Sequence, residues 1–141
     1  MVNYEEFFEE CRDSIKQRAE QCALALELAG LHSNGDISFE SDGLTWAYVI
    51  DVKNHAEVPR ISFSLQDFDV GCANSADEID KNEGKFCARI EIVGFGGICL
   101  GEASGEWTDN KDIIKKDFAS FTDGSIVGVL SGPKISLKNK I

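Results

Sequence analysis

A chain of 141 residues, 43% hydrophobic and with only two prolines, is long enough to bury its own core and too apolar to be disordered. Its 25 Asp and Glu against 14 Lys and Arg give a formal net charge of -11, a field that repels nucleic acid and anionic membrane and attracts basic protein surfaces. No apolar run approaches the roughly 20 residues that cross a bilayer, and an odd count of five cysteines suits reduced thiols better than a disulfide framework. The start, Val2-Asn3-Tyr4-Glu5-Glu6, lacks the basic residues and apolar run of a secretory signal, so a cytoplasmic protein is expected.

The first predicted element is a long amphipathic helix over residues 4–29. Asn3 is its N-cap, Glu6 the capping-box partner, and Val2 and Phe7 hold the staple positions. Apolar residues recur at Tyr4, Phe8, Cys11, Ile15, Ala19, Cys22, Leu26 and Ala29, steps of three and four that describe one face. Gly30 is the expected left-handed residue after the end, with Leu31 folding back on Leu26.

A hairpin follows, from Ile37 to Ile50, with Asp42-Gly43 as a two-residue turn. That turn sets Ser41 opposite Leu44, Phe39 opposite Trp46 and Ile37 opposite Tyr48, so the large apolar residues share the face that packs on the helix. After a polar connection, Arg60 to Phe68 alternates as a third strand with Ile61, Phe63 and Leu65 inward. Residues 66–84 hold six acids and only Lys81 as a cation, and read as a loop. Lys85 to Val93 is a fourth strand, with Phe86, Ala88, Ile90 and Ile92 inward; Gly94-Phe95-Gly96-Gly97 turns it into a fifth, from Ile98 to Leu100 or a little beyond.

Thr108 or Asp109 is expected to cap a second helix over residues 110–121, which Gly124 ends. Residues 125–131 fit a buried strand and a helical turn equally. The tail from Lys134 holds three lysines and no acid, so residues 1–133 carry 11 − 25 = −14. The expected fold is α+β: a long N-terminal helix packed on a five-stranded antiparallel meander, with a second helix near the C-terminus. Residues 1–133 form one domain and residues 134–141 a basic tail.

No motif specifies a reaction. Asp67-x-Asp69 with Glu78 has the look of a calcium loop, but Gly71 and Cys72 stand where that loop needs an oxygen ligand and a glycine. The cysteines lack the close pairing of a zinc site. Cys11 and Cys22 sit on the apolar helix face as small hydrophobes, and Cys72 is the thiol expected to be exposed. His32 and His55 are the only histidines, both in predicted loops, and nothing in the sequence points to a Cys72–His55 dyad. The glycine run near Gly94 precedes a strand rather than a helix, so it is a hairpin turn and not a phosphate cradle. No cofactor, metal or catalytic residue is assigned.

Acid is concentrated in two places, Glu5, Glu6, Glu9, Glu10 and Asp13 at the start of the first helix, and Asp67, Asp69, Asp77, Glu78, Asp80 and Glu83 in the 66–84 segment. Together they make an expected docking face for a basic protein partner. In type, though in no shared motif, the chain resembles toxin-immunity proteins and phage-encoded inhibitors of nuclease-type defence systems, anti-CRISPR proteins among them. That resemblance implies a non-enzymatic inhibitor that covers the positive nucleic-acid-binding surface of its target. Two alternatives stand beside it. A secretion-type chaperone dimer would use exposed Trp46, Val49, Cys87 and Val93, and a small-ligand binder or enzyme would use a pocket lined by Phe39, Trp46 and Tyr48 between the first helix and the sheet.

Overall fold

The fold is that of a computed structural model in which residues 3–31, 37–41, 45–53 and 55–131 are described. Val2, His32, the Asp42-Gly43 turn with Leu44, and the basic tail lie outside the described residues. In chain order the elements are α1 (Tyr4–Leu28), β1 (Ile37–Ser41), β2 (Thr45–Asp51), β3 (Arg60–Asp67), α2 (Ala76–Asn82), β4 (Phe86–Val93), β5 (Cys99–Ser104), α3 (Lys111–Ser120) and α4 (Asp123–Ser131). The strands form one antiparallel meander in the order β1-β2-β3-β4-β5. The α+β architecture expected from the sequence is the one observed.

Helix α1 owes both ends to local chemistry. The Asn3 side chain accepts hydrogen bonds from the amides of Glu5 and Glu6, at 2.8 and 3.3 Å. At the other end Gly30 takes φ +76°, its amide donates to the Glu27 carbonyl, and the Leu31 amide donates to that of Leu26. That pair of bonds is a Schellman end, which needs a residue free to enter the left-handed region. Between the ends Phe8, Cys11, Ile15, Ala19, Cys22 and Leu26 are fully buried, the face that the spacing predicts.

The inner face of the sheet meets this helix with Tyr48, Ile50, Ile61, Phe63, Leu65, Phe86, Ala88, Ile90 and Ile92. Each of the Ile, Leu and Phe side chains among them contributes roughly 1.5–3 kcal/mol by leaving water. Residues Ile114, Phe118, Ile126 and Leu130 of α3 and α4 close the same core.

Four expectations need correction. The first hairpin is shifted by two: Ser41 pairs with Trp46, Phe39 with Tyr48 and Ile37 with Ile50. A shift of two preserves which residues face inward. The pairing follows the packing of Phe39, whose ring lies 5.8 Å from Phe8 and 5.3 Å from Tyr48, rather than a two-residue turn. The 66–84 segment is not all loop. Ser75 caps the short helix α2 by accepting from the Glu78 amide, with Asp77 and Glu78 in its first turn and Lys81 in its last.

The cap of α3 is Asn110, not Thr108 or Asp109; Thr108 instead bridges to Phe86. Gly124 ends nothing. The helix stops at Phe121, whose backbone is extended, and Gly124 lies in the first turn of α4, the helix that residues 125–131 adopt. Strand β5 also runs on to Ser104. Val93 pairs with Cys99 and Ile92 with Gly101, so Leu100 is an extra residue, a bulge that turns its side chain into the core at 1% exposure. The glycine turn before β5 is a tight 3-10 turn over Phe95–Gly97, with Gly96 and Gly97 at positive φ.

Candidate functional site

The two acidic segments come to the same end of the sheet. Tyr4, in the first turn of α1, donates its hydroxyl to the Leu65 carbonyl at 2.6 Å, where β3 ends. Phe7 stacks on Phe86, where β4 begins, with ring centroids 4.4 Å apart. The chain between those strand ends is the acidic 68–85 connection, closed by a hydrogen bond from the Phe68 amide to the Lys85 carbonyl. The start of α1 and the connection carrying α2 are therefore neighbours at one pole.

Glu5, Glu6, Glu9, Glu10 and Asp13 are all exposed there, as are Asp67, Asp69, Asp77, Asp80 and Glu83; Glu78 is half-buried. A shallow open groove of about 520 Å³ runs along Asn3, Glu5, Glu6, Glu9 and Glu10.

Some of this acid is already paired. Lys111 of α3 holds Glu10 at 2.9 Å, and Arg12 holds Glu9 at 3.1 Å. Arg12 also donates through Nε to the Tyr48 hydroxyl and lies 4.5 Å above the Phe39 ring, so this cation is anchored and not free to swing. The role of Lys111 is not legible in the sequence, since it stands 101 positions from its partner. Within residues 5–13 and 67–85 eleven carboxylates meet three cations, Arg12, Lys81 and Lys85, a formal charge of 3 − 11 = −8; Lys111 joins them from α3.

Asp67, at the end of β3, has its carboxyl pushed above the usual range, first by partial burial and then by the neighbouring Asp69 charge, against a lowering hydrogen bond from the Phe68 backbone. Asp69 spends its oxygens locally, accepting from the Gly71 amide at 2.9 Å and from the Cys72 thiol at 3.2 Å. Glu78 accepts from the Asn74 amide at 3.0 Å. The pair thus serves helix and turn capping.

The other constellations separate. The Cys72 thiol is pushed up by its bond to Asp69, away from thiolate character. His55 accepts the Glu57 amide at Nδ1 and, through Nε2, donates to the Leu130 carbonyl at 2.8 Å. It is a tether for α4 and not a base for Cys72. Phe39, Trp46 and Tyr48 pack with Phe8 and Tyr4 at ring-centroid distances of 4.9 to 5.8 Å. Of the residues expected to form a chaperone-like face, Trp46 belongs to that inner cluster, while Val49 and Cys87 are buried on the opposite face of the sheet.

Among the described residues, Glu91, Cys99 and Glu102 bring one donor atom each within 4.8 Å of one another, the geometry a cation would need. Arg89 stands between the two carboxylates, at 2.9 and 2.6 Å, and supplies the positive charge there itself. No helix among the described residues is long and apolar enough to cross a membrane.

Compared with known protein families, with characterised proteins and with solved structures, the chain matches none.

Proposed function

We propose that this protein is a non-enzymatic acidic binding protein that neutralises a basic protein partner by covering a positively charged, nucleic-acid-binding surface. A toxin-immunity protein or a phage-encoded inhibitor of a nuclease-type defence system works in this manner. The observation that carries the reading is the convergence on one pole of two acidic segments, far apart in sequence, whose residues 5–13 and 67–85 carry a formal 3 − 11 = −8.

Two features favour docking over solubility as the use of that charge. The segments are mounted on a helix start and a capped connection, both held to the sheet, so the carboxylates are presented by fixed backbone. Among the described residues only Glu9 and Glu10 of the eleven carboxylates are ion-paired, to Arg12 and Lys111, so most of the field is left for a partner. An array of this kind steers a basic partner to it and accelerates association by roughly 10- to 1,000-fold. The proposal places the protein in the cytoplasm, where such partners act.

The test is kinetic. The immobilised full chain should retain a basic protein from its native host, with an association rate that falls about tenfold or more as salt rises. The combined variant D13K/D67K/D80K/E83K, which leaves the capping side chains of Asp69 and Glu78 in place, should slow the same association while its circular dichroism stays that of the parent. Retention that neither salt nor charge reversal slows would reduce the acidity to a solubility device.

A further inference from the structure

Two strands end the sheet, and they are protected differently. On β5 the extra residue Leu100 bulges the strand, which blunts that edge. Strand β1 has no such device. It pairs with β2 in unbroken register and holds no lysine and no proline. Its one charge, Glu40, is taken up by Arg60 from β3. Among the described residues no strand lies on its outer edge, and Ser38, Phe39 and Glu40 are all exposed. Phe39 packs its ring on Phe8 and Tyr48 and still stays 40% exposed. An edge of this kind is a template for one more strand.

We propose that the added strand is β1 of a second copy, paired antiparallel about a two-fold axis at Phe39, so that two five-stranded sheets become one. Two features single out this occupant. The first is self-complementarity. With the axis at Phe39, each Phe39 ring meets its own equivalent on the inner face and covers its exposed side, while Ser38 stands opposite Glu40 on the outer face. No carboxylate faces a carboxylate across this pairing. The second feature is charge. The Ser41 end of β1 lies at the acidic pole, since Ser41 pairs with Trp46, whose amide donates to the Tyr4 hydroxyl at the start of α1. The Ile37 end points the other way. Antiparallel pairing therefore sends the two poles to opposite ends of the joined sheet, farther apart than the length of β1, roughly 17 Å. That is about twice the screening length of roughly 8 Å at physiological salt. A parallel neighbour would set the poles side by side. The contact is small, one strand and one aromatic pair, so the association is weak, with a Kd on the order of micromolar to millimolar. This inference stands independently of the partner proposed above.

Sedimentation equilibrium of the full-length protein tests it. The weight-average mass should climb with concentration from 15.5 kDa toward twice that value. It should climb earlier at about 0.15 M salt than at about 0.01 M, because screening relieves the repulsion between two acidic copies. The register is tested by the variant S38C/E40C/C72S, which alters exposed side chains only. Air oxidation should link two copies through the two introduced thiols, which come within disulfide reach of one another only across the two-fold axis. Mass spectrometry of the linked peptides reads the pairing. The variants S38C/C72S and E40C/C72S should link several-fold less. A mass that stays at 15.5 kDa up to about 1 mM protein overturns the proposal and leaves the edge to the strand of a different protein. Self-association whose disulfides join like positions, or only native cysteines, overturns it as well.

Discussion

At the scale of single residues, Arg18 does the most unusual work. It is only 6% exposed, in the middle of α1, and its guanidinium lies 5.6 Å above the Phe63 ring. It donates to the carbonyls of Phe118 and Phe121 and pairs with Asp123, tying α1 to the end of α3 and the start of α4. Its Nη1 is buried with no partner. Removing the side chain strands two carbonyls and a carboxylate, so R18M should cost about 3 kcal/mol in urea denaturation, and R18K should recover only part of it. A loss below about 1 kcal/mol would show that the clamp is redundant.

The cysteines give a second residue-scale expectation. Burial pushes the Cys22 thiol up to about 12 and those of Cys11 and Cys87 up to about 11, from an ordinary value of 9.0. A thiol raised on folding supports the native state fully below its unfolded value. That support is lost as pH climbs through the folded values, so the denaturation midpoint should fall from about pH 9 upward. At pH 8 a thiol reagent should modify Cys72 and, more slowly, Cys99, and should reach all five cysteines only in denaturant. Rapid native modification of a third thiol would contradict the buried assignment.

At the scale of elements, the legible parts are those set by neighbours in sequence. Asn3, the 3–4 spacing through Leu26, and Gly30 define α1 before any tertiary contact is known. The alternation in β3 and β4 likewise reads directly as burial. Helix α2 escaped because its seven residues carry no apolar period; its only marks are Ser75 and Glu78, a capping pair that was present to be read. The register of β1 on β2 was not legible, since it answers to Phe8 on a different element.

The junction of β5 and α3 shows the same limit. A Cβ on Gly105 would fall 2.3 Å from the Asp117 Oδ2 and 2.8 Å from its Cβ, so the helix sits too close for any side chain there. G105A should force α3 outward and destabilise the fold by about 1–3 kcal/mol in thermal or urea unfolding. A neutral substitution would mean that α3 can shift without loss.

For the whole molecule, charge is polarised and not merely abundant. The acidic pole lies at the end of the sheet where β3 stops, while the opposite end exposes Phe95 at 76% and Ile98 at 58%. Val58, on the connection at that same end, holds φ +43°, a conformation that a β-branched residue adopts only under strain. Like charges crowded at one pole repel one another in the compact state. The melting temperature should therefore rise as ionic strength goes from about 0.01 M to 0.15 M, where the screening length shortens from roughly 30 to 8 Å. Salt that weakens partner binding while strengthening the fold separates the two uses of the same field. A melting temperature that falls with salt would show that ion pairs outweigh the repulsion.

The sequence by itself determined the α+β class, the two long-pattern features of α1 and the meander, and which segments are acidic, because each is written in composition or in a period of two or three to four residues. Only the tertiary structure decided that the two acidic segments meet. Tyr4 on Leu65 and Phe7 on Phe86 bring residues 5–13 and 67–83 together, and contacts across some 60 to 80 positions leave no local trace. It also decided which cations neutralise which acids: Lys111 reaches Glu10 across 101 positions. Net charge is a sum over the chain, but the field a partner meets depends on where folding puts each term.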